Sequence, residues 1–175
     1  MIRLILGGAR SGKTRQAQQL ARASGLEVVY IATAQAHDGE MRARIDRHRD
    51  DRPLHWITVE EPLQLVSVIL AHQAPERCLL IDCLTLWISN QLLAEAEMEV
   101  EREALCTALG NARGEIILVS NETGLGIVPL GEVNRRFIDE AGRLNQAVAA
   151  LADQVALMVA GIPLRLKGPA LECSP

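Results

Sequence analysis

The sequence predicts an α/β fold, built on a mostly parallel sheet with helices on both faces and a short antiparallel edge strand. Short apolar runs alternate with helical patterns along the chain, which is typical of parallel sheets whose strands are connected by helices. A glycine-rich motif also follows the first apolar run and opens the first helix, as in a phosphate-binding loop. With 175 residues, 49% of them apolar, the chain suits one compact domain.

Buried strands are predicted where short apolar runs are bounded by turn signals. They are Ile2–Leu6, Glu27–Ala32, Cys78–Asp82, Glu115–Ser120 and Gln154–Ala160, with His55–Val59 as a weaker sixth. After a turn at residues 161–163, Leu164–Lys167 is predicted to return as the antiparallel edge strand. The predicted domain therefore spans residues 1–167, and residues 168–175 are predicted to be a frayed, disordered tail.

Helical patterns fill the intervals between these strands. They cover Lys13–Ser24, Glu40–Asp50, Leu63–His72, a long stretch within Leu84–Asn111, and Val133–Leu151. Gly25 is predicted to stop the first of them.

Composition and charge disfavour several classes of partner. The formal net charge is −4, so bulk attraction to nucleic acid is not expected. No apolar run approaches the roughly 20 residues needed to span a bilayer, and the apolar start runs into the glycine loop without a secretory signal. The cysteines form no C-x-x-C pair, and Cys78 and Cys83 are predicted to be small buried apolar residues. A cytoplasmic, reduced protein is expected.

The segment from Gly7 to Thr14 matches the G-x-x-x-x-G-K-[ST] pattern of a loop that binds nucleoside triphosphate. Its glycines let successive backbone N–H groups point at one anion, and the following helix adds its positive end. Lys13 is expected to reach the β and γ phosphates, and the Thr14 hydroxyl to bind Mg²⁺. A glycine-rich turn without a ligand is the alternative. The predicted nucleotide contacts are Gly7, Gly8, Ala9, Arg10, Ser11, Gly12, Lys13 and Thr14.

A second acid is expected at the end of a neighbouring strand, where it would hold the metal directly or through water. Asp82 directly follows the apolar residues Leu79, Leu80 and Ile81. In a parallel sheet it would lie at the carboxyl edge, beside the phosphate-binding loop. The alternative is that Asp82 caps the helix that follows.

His48 lies in a stretch rich in arginine, with Arg44, Arg47, Arg49 and Arg52 close by. On a helix, Met41, Ile45 and His48 would share one stripe facing the protein body. Arginine suits phosphate binding, and nearby positive charge leaves a neutral imidazole nitrogen that can attack phosphorus. The alternative is a buried, hydrogen-bonded histidine with a structural role.

Polar residues also follow other predicted strands. Ala32-Thr33-Ala34 follows the second strand, and Glu60 and Glu61 follow the weak one. Residues 120–126 follow the strand that begins at Glu115, and the two glycines there favour either a ligand-facing loop or a tight turn.

Taken in order, these residues resemble the bifunctional adenosylcobinamide kinase/adenosylcobinamide-phosphate guanylyltransferase family. The resemblance covers residues 2–167 and depends on the whole ordered set, since the phosphate loop alone would not name the family. The matching motifs are the phosphate loop, Tyr30–Ala34, Arg44-Ile45 with His48 and Arg52-Pro53, Leu80–Thr85, Ser120–Pro129, and Arg136-Phe137 with Asp139, Gly142, Arg143 and Asn145-Gln146.

The resemblance implies two reactions in cobalamin assembly. GTP or ATP phosphorylates the aminopropanol hydroxyl of adenosylcobinamide, and GTP then gives GMP to an enzyme histidine, releasing pyrophosphate. The phosphorylated cobinamide takes the GMP and becomes adenosylcobinamide-GDP. The histidine corresponds to His48, and the family implies a RecA-like sheet and a homo-oligomer such as a trimer. Nucleotide contacts carry over onto the phosphate loop, Ala32, Thr33, Ala34, Arg49, Asp50, Asp51, Arg52, Glu60 and Asp82.

Three other functions stay open on the residues alone. A P-loop small-metabolite kinase without a covalent step would leave His48 structural. A GTP-binding switch module would be expected to carry an N-K-x-D motif, which is absent, and the D-x-x-G match at Asp139–Gly142 lies inside a helical pattern. A RecA-like motor would need a nucleic-acid surface, and a chain of this size with a net charge of −4 has no obvious one.

Glu60 is also a candidate for nucleotide selection. Hydrogen bonds from guanine N1 and N2 to its carboxylate would select GTP over ATP.

Overall fold

The computed structural model describes residues 1–36, 38–50 and 52–171. Four side chains within the helix at residues 39–50 are not among those described: Arg44, Arg47, His48 and Asp50. The predicted nucleotide contact at Asp51 also lies outside the described residues.

Strands and helices alternate along the described chain much as the sequence predicts. In chain order they are β1 (Ile2–Gly7), α1 (Lys13–Ala23), β2 (Glu27–Ala32), α2 (Gly39–Asp50), β3 (Ile57–Glu60), α3 (Leu65–His72), β4 (Arg77–Asp82), α4 (Leu84–Leu93), α5 (Met98–Asn111), β5 (Glu115–Asn121), α6 (Glu132–Leu151), β6 (Gln154–Val159) and β7 (Ile162–Lys167). The long helical stretch is divided because Glu95 takes the left-handed conformation, with φ of 55°. The weak strand begins later than predicted, since the Trp56 N–H closes a turn onto the Pro53 carbonyl.

The strands form one sheet in the order β3-β2-β4-β5-β1-β6-β7. Every neighbouring pair is parallel except β6 and β7, which are antiparallel. The predicted α/β fold with an antiparallel edge strand is therefore confirmed.

Strand β5 lies between β1, which leads into the phosphate loop, and β4, which ends in Asp82. Its residues Val119 and Asn121 pair with Asp82 and Gly7, so the three carboxyl ends are aligned.

Helices cover both faces of this sheet. Against one face pack α3, α4, α5 and α6, around side chains such as Leu79, Ile81 and Trp87. Helix α1 packs against the other face of the sheet, around Ile5, Leu80 and Tyr30.

Cys78 and Cys83 are buried on the α1 side of the sheet, and burial raises the pKa of each thiol to about 12. Both thiols therefore stay protonated near neutral pH and serve as small core residues, as predicted.

The described part of the predicted tail contacts β6 and the α1-side core. The Pro169 carbonyl accepts a hydrogen bond from the Gln154 side chain at 3.4 Å, and Leu171 is half-buried against the α1-side core. Residues 172–175 lie outside the described chain. None of the described helices combines the length and the apolar character that crossing a membrane requires.

Candidate active site

The phosphate loop, residues 7–14, connects β1 to α1 at the carboxyl edge of the sheet. Its curl requires left-handed backbone at Gly12, with φ of 97°, and at Arg10, with φ of 56°. The Ser11 N–H donates to the Gly8 carbonyl at 3.3 Å and closes the turn. The N-terminus of α1 begins at Lys13, so the loop carries the partial positive charge that binds anions. The predicted sequence of strand, loop and helix is present.

Neighbouring strands hold this loop on two sides. The Glu122 N–H, just after β5, donates to the Gly7 carbonyl at 3.0 Å, and the Gly161 N–H, between β6 and β7, donates to the Ser11 carbonyl at 3.0 Å. A Cβ atom on Gly7 would lie 2.7 Å from the Met158 carbonyl oxygen of β6, which is too close for any side chain. Glycine is therefore required where β1 passes into the loop.

Lys13 crosses the mouth of the loop. Its Nζ donates to the Gly8 carbonyl at 2.6 Å, and the side chain is only 7% exposed. Burial lowers the pKa of Lys13 from its ordinary value, while the negative charge of Asp82 acts in the opposite direction. The predicted contact of Lys13 with the β and γ phosphates of a nucleotide stays a prediction.

Asp82, at the end of β4, receives two hydroxyl groups on the same oxygen. Thr14 Oγ1 donates to Asp82 Oδ2 at 2.9 Å, and the Tyr30 hydroxyl donates to Oδ2 at 2.8 Å. The Thr14 bond joins α1 to the end of β4 and brings the two predicted metal ligands together. Burial and the charge of Asp82 raise the pKa of Tyr30 well above its ordinary value, although Arg52 lowers it, so the phenol remains a donor.

The sequence predicts no function for Tyr30, although this residue belongs to one of the matching family motifs. One signal was available, because this is the chain's only tyrosine and it lies in a buried strand. A buried tyrosine hydroxyl usually needs a hydrogen-bond partner, and the nearest polar strand end is that of β4. The partner itself could not be identified without the pairing of β2 with β4.

The segment after β2 joins two strand ends. Thr33 is fully buried, and its hydroxyl donates to the Cys83 carbonyl at 2.7 Å and accepts from the Cys83 N–H at 2.9 Å. The Ala32 carbonyl accepts from the Glu61 N–H at 2.9 Å. Thr33 thereby aligns the ends of β2 and β4, and its predicted contact with a nucleotide stays a prediction. Ala34 is half-buried and faces a cleft.

A polar cleft of about 340 Å³ lies between α2 and the ends of β2 and β3. Arg49 Nε and Nη2 both donate to Glu60 Oε1, at 2.9 and 2.6 Å, across this cleft. Both side chains of this pair are about half exposed. The pair therefore connects α2 to the end of β3 while leaving the second carboxylate oxygen, Oε2, outside these two bonds. The lining residues are Ala34, Ala36, Arg42, Ile45, Asp46, Arg49 and Glu60.

Arg52, just beyond α2, has the features of an anion-binding residue. Its Cζ lies 3.9 Å from the centroid of the Tyr30 ring, so the guanidinium stacks on that ring. Its Nε and Nη1 are shielded from solvent, and no acceptor among the described residues reaches them. Buried charged N–H groups without acceptors are costly, and phosphate oxygens would satisfy them.

His48 lies in the last turns of α2, one residue before Arg49. Met41 and Ile45, its predicted companions on one stripe, are half-buried, which agrees with a stripe facing the protein body. Because the His48 side chain is not among those described, its distance from the phosphate loop stays a prediction. The same holds for the predicted contact of Asp50.

The loop after β5, predicted either to face a ligand or to form a tight turn, lies beside the phosphate loop. Thr85 Oγ1 accepts from the Asn121 N–H at 2.6 Å, and Glu122 Oε1 accepts from the Gly124 N–H at 2.7 Å. Beyond these bonds, the side chains of Leu125 and Ile127 are almost fully exposed. The loop thus places apolar groups near the carboxyl edge of the sheet.

The chain is similar over most of its length to known proteins. Residues 3–166 match the family model described as cobinamide kinase / cobinamide phosphate guanyltransferase. The chain is 58% identical over 170 residues to the bifunctional adenosylcobalamin biosynthesis protein CobP of Pseudomonas aeruginosa, covering 96% of this chain and 98% of that protein. It is 41% identical over 182 residues to the corresponding protein CobU of Salmonella typhimurium, covering 95% of this chain and all of that protein.

A solved structure from Pyrococcus horikoshii OT3 has a similar fold. It has a TM-score of 0.50 and 12% sequence identity, covering 95% of this chain and 86% of the other. At that identity the similarity concerns the fold alone.

Proposed function

Because the chain belongs to the cobinamide kinase / cobinamide phosphate guanyltransferase family, we propose that one nucleotide site, formed by the phosphate loop and the end of α2, serves both of its reactions. The chain is a bifunctional enzyme of adenosylcobalamin biosynthesis, acting as a kinase and as a guanylyltransferase. The observation that carries the single-site proposal is the stacking of Arg52 on Tyr30, whose hydroxyl binds Asp82 beside Thr14. These contacts join the segment after α2 to the phosphate loop.

In the kinase step, the aminopropanol hydroxyl of adenosylcobinamide attacks the γ phosphorus of a nucleoside triphosphate. The bond from that phosphorus to the bridging oxygen breaks, and the nucleoside diphosphate leaves. Phosphoryl transfer needs in-line positioning and compensation of negative charge more than covalent help from the protein. Lys13 and the backbone N–H groups of the phosphate loop supply both, since they lie at the positive end of α1.

In the guanylyl step, a neutral nitrogen of His48 attacks the α phosphorus of GTP, and pyrophosphate leaves as the bond to the bridging oxygen breaks. A phosphate oxygen of adenosylcobinamide phosphate then attacks the same phosphorus and releases the histidine. Arg52 favours this chemistry, because its shielded N–H groups can bind phosphate oxygens and its positive charge disfavours protonation of a nearby imidazole. Asp50 and Asp51, which lie between His48 and Arg52 in the sequence, are also proposed to contact the nucleotide.

Thr14 and Asp82 are proposed to hold Mg²⁺, directly or through water. A hydroxyl and a carboxylate 2.9 Å apart offer the oxygen ligands that Mg²⁺ prefers. When bound, the ion would compensate charge on the phosphates. The orientation of Asp82 toward that site is set by the chain itself, since two hydroxyl groups donate to its Oδ2.

Incubation with GTP labelled at the α phosphorus tests the covalent step. The wild-type protein is expected to retain a label that is stable in base and labile in acid, as a phosphoramidate is, and to release it when adenosylcobinamide phosphate is added. GTP labelled at the γ phosphorus should leave no label. A protein that phosphorylates adenosylcobinamide but never carries the α label would be a kinase without a covalent step.

Replacing Glu60 with Gln is expected to lower the preference for GTP over ATP by about 10- to 100-fold, the range for losing a hydrogen bond to a charged acceptor. The pairing with Arg49 does not forbid guanine binding, since half-exposed ion pairs contribute only about 0–1 kcal/mol. The ratio of kcat/KM for the two triphosphates measures the effect.

Glu61→Gln is the matched control for Glu60→Gln. Its amide oxygen can still accept the hydrogen bonds that Glu61 Oε1 now receives from the N–H groups of Leu63 and Gln64. The control should keep the wild-type ratio of the two triphosphates. An unchanged ratio in Glu60→Gln would assign guanine selection to other residues.

A homo-oligomer, such as the trimer that the resemblance implies, is also proposed. Two groups of exposed apolar side chains support it: Leu125, Ile127 and Leu130 in the loop after β5, and Ile162, Leu164 and Leu166 on the edge strand β7. Such patches on a small chain commonly mark protein interfaces. Light scattering that gave the mass of a single chain at assay concentrations would contradict this proposal.

The cytoplasmic location expected from the sequence also stays a prediction.

A further inference from the structure

We propose that Tyr30 is a positioning residue of the nucleotide site, whose hydroxyl orients Asp82 and whose ring holds the Arg52 guanidinium. The inference rests on the proposed function, because it takes Asp82 to serve the metal and Arg52 to bind the nucleotide. None of the predicted contacts includes Tyr30. It is distinguished by its contacts, because its buried side chain touches both Asp82 and Arg52.

The hydroxyl of Tyr30 restricts the Asp82 carboxylate. It donates to Oδ2 at 2.8 Å, the same oxygen that Thr14 Oγ1 reaches at 2.9 Å. Two donors converging on one oxygen fix the rotation of the carboxylate and leave Oδ1 outside both bonds. Hydrogen bonds from outside a metal site that orient its ligands typically change metal affinity or activity by about 10- to 100-fold when they are removed.

The ring of Tyr30 restricts Arg52. The guanidinium lies over the ring at 3.9 Å, and on β2 the tyrosine is only 1% exposed, so its position is fixed by the core. Trp56 stacks next to it, with ring centroids 6.5 Å apart and an interplanar angle of 26°. Because the ring occupies one face of the guanidinium, the shielded Nε and Nη1 groups remain for an anion. Arginine held in this way loses less conformational freedom when it binds phosphate.

Two substitutions separate the two contributions. Tyr30→Phe removes the hydroxyl and keeps a ring of nearly the same shape beneath Arg52. Tyr30→Leu removes both. The matched control is Cys78→Ala, another buried side chain of the α1-side core, located at the opposite end of β4 from Asp82.

Binding assays on the intact protein supply the readouts, so that activity is not needed to judge the result. The affinity for fluorescent GTP is measured without metal, and the affinity of the protein–GTP complex for Mn²⁺ is measured by electron paramagnetic resonance. Tyr30→Phe is expected to weaken Mn²⁺ binding about tenfold while leaving metal-free GTP binding within about twofold of wild type. Tyr30→Leu is expected to weaken metal-free GTP binding by about fivefold as well.

Unchanged Mn²⁺ affinity in Tyr30→Phe would overturn the role of the hydroxyl, and equal loss of metal-free GTP binding in both variants would overturn the role of the ring. If Tyr30→Leu fails to fold, Tyr30→Phe still decides the first point, and Tyr30→Met, an unbranched apolar side chain without a ring that keeps Arg52, decides the second by the same fivefold loss. Failure of the proposed function is a separate result, because wild-type protein would then carry no α label from GTP.

Discussion

Replacing Lys13 with Met is expected to lower kcat/KM for phosphorylation of adenosylcobinamide by about 100- to 1000-fold, the range for losing one oriented group that stabilises transition-state charge. Lys13 is nearly buried, and its ammonium group lies 2.6 Å from the Gly8 carbonyl across the mouth of the loop. Met keeps an unbranched side chain of similar length and removes the charge. The rate of product formation with saturating and limiting triphosphate measures the effect.

Arg15→Met is the matched control, because Arg15 is an exposed cation on α1 only two residues further along. It removes the same charge from the same helix and should stay within about twofold of wild type, as isolated surface substitutions usually do. Urea unfolding of all three proteins checks that Lys13→Met remains folded. A folded Lys13→Met enzyme with near-normal kcat/KM would mean that the loop binds phosphate without the lysine acting on the reaction.

The sequence was most informative where local rules decide structure. The phosphate loop was predictable because its glycines, its lysine and its hydroxyl group all act within one strand–loop–helix unit. The meeting of Thr14 with Asp82 was also predictable, because parallel strands bring their carboxyl ends to one edge. What the sequence could not show is that β5 separates the two strands, since the order of strands in a sheet does not follow the order along the chain.

Contacts that depend on tertiary pairing escaped prediction. The bond from Tyr30 to Asp82 exists because β2 and β4 are neighbours and because Tyr30 points toward α1, neither of which a run of apolar residues reveals. Glu60 was predicted as a guanine contact, but its pairing with Arg49 was not, because it depends on how α2 approaches β3. The hydroxyl of Thr33 was likewise not expected to be bonded to the backbone of Cys83.

Two of these missed contacts attach the segment around α2 to the sheet. Arg52 lies on the ring of Tyr30, whose hydroxyl binds Asp82 beside Thr14, and Arg49 pairs with Glu60 at the end of β3. The Arg49–Glu60 pair is half exposed and therefore weak, whereas the Arg52 contact lies on a buried ring. The end of α2 is thus held mainly from the Arg52 side, which lies four residues after His48.

Replacing His48 with Asn is expected to abolish the covalent α label and the formation of adenosylcobinamide-GDP, a loss of at least about 10⁴-fold. Asn has no nitrogen that can attack phosphorus, yet it is polar and of moderate size, so the C-terminal turns of α2 should be retained. Phosphorylation of adenosylcobinamide should continue within about threefold of wild type, because transfer of the γ phosphoryl group needs no covalent intermediate. Product analysis with α- and γ-labelled GTP follows both reactions in one assay.

His55→Asn is the control, since His55 is exposed in the turn before β3 and is not among the proposed contacts. It should keep both activities. A His48→Asn protein that still carried the α label would place the nucleophile elsewhere. Loss of both reactions together with weakened GTP binding would show that His48 supports the site rather than attacks phosphorus. Selective loss of guanylyl transfer, with phosphorylation retained, is the result expected if only the covalent step depends on the imidazole.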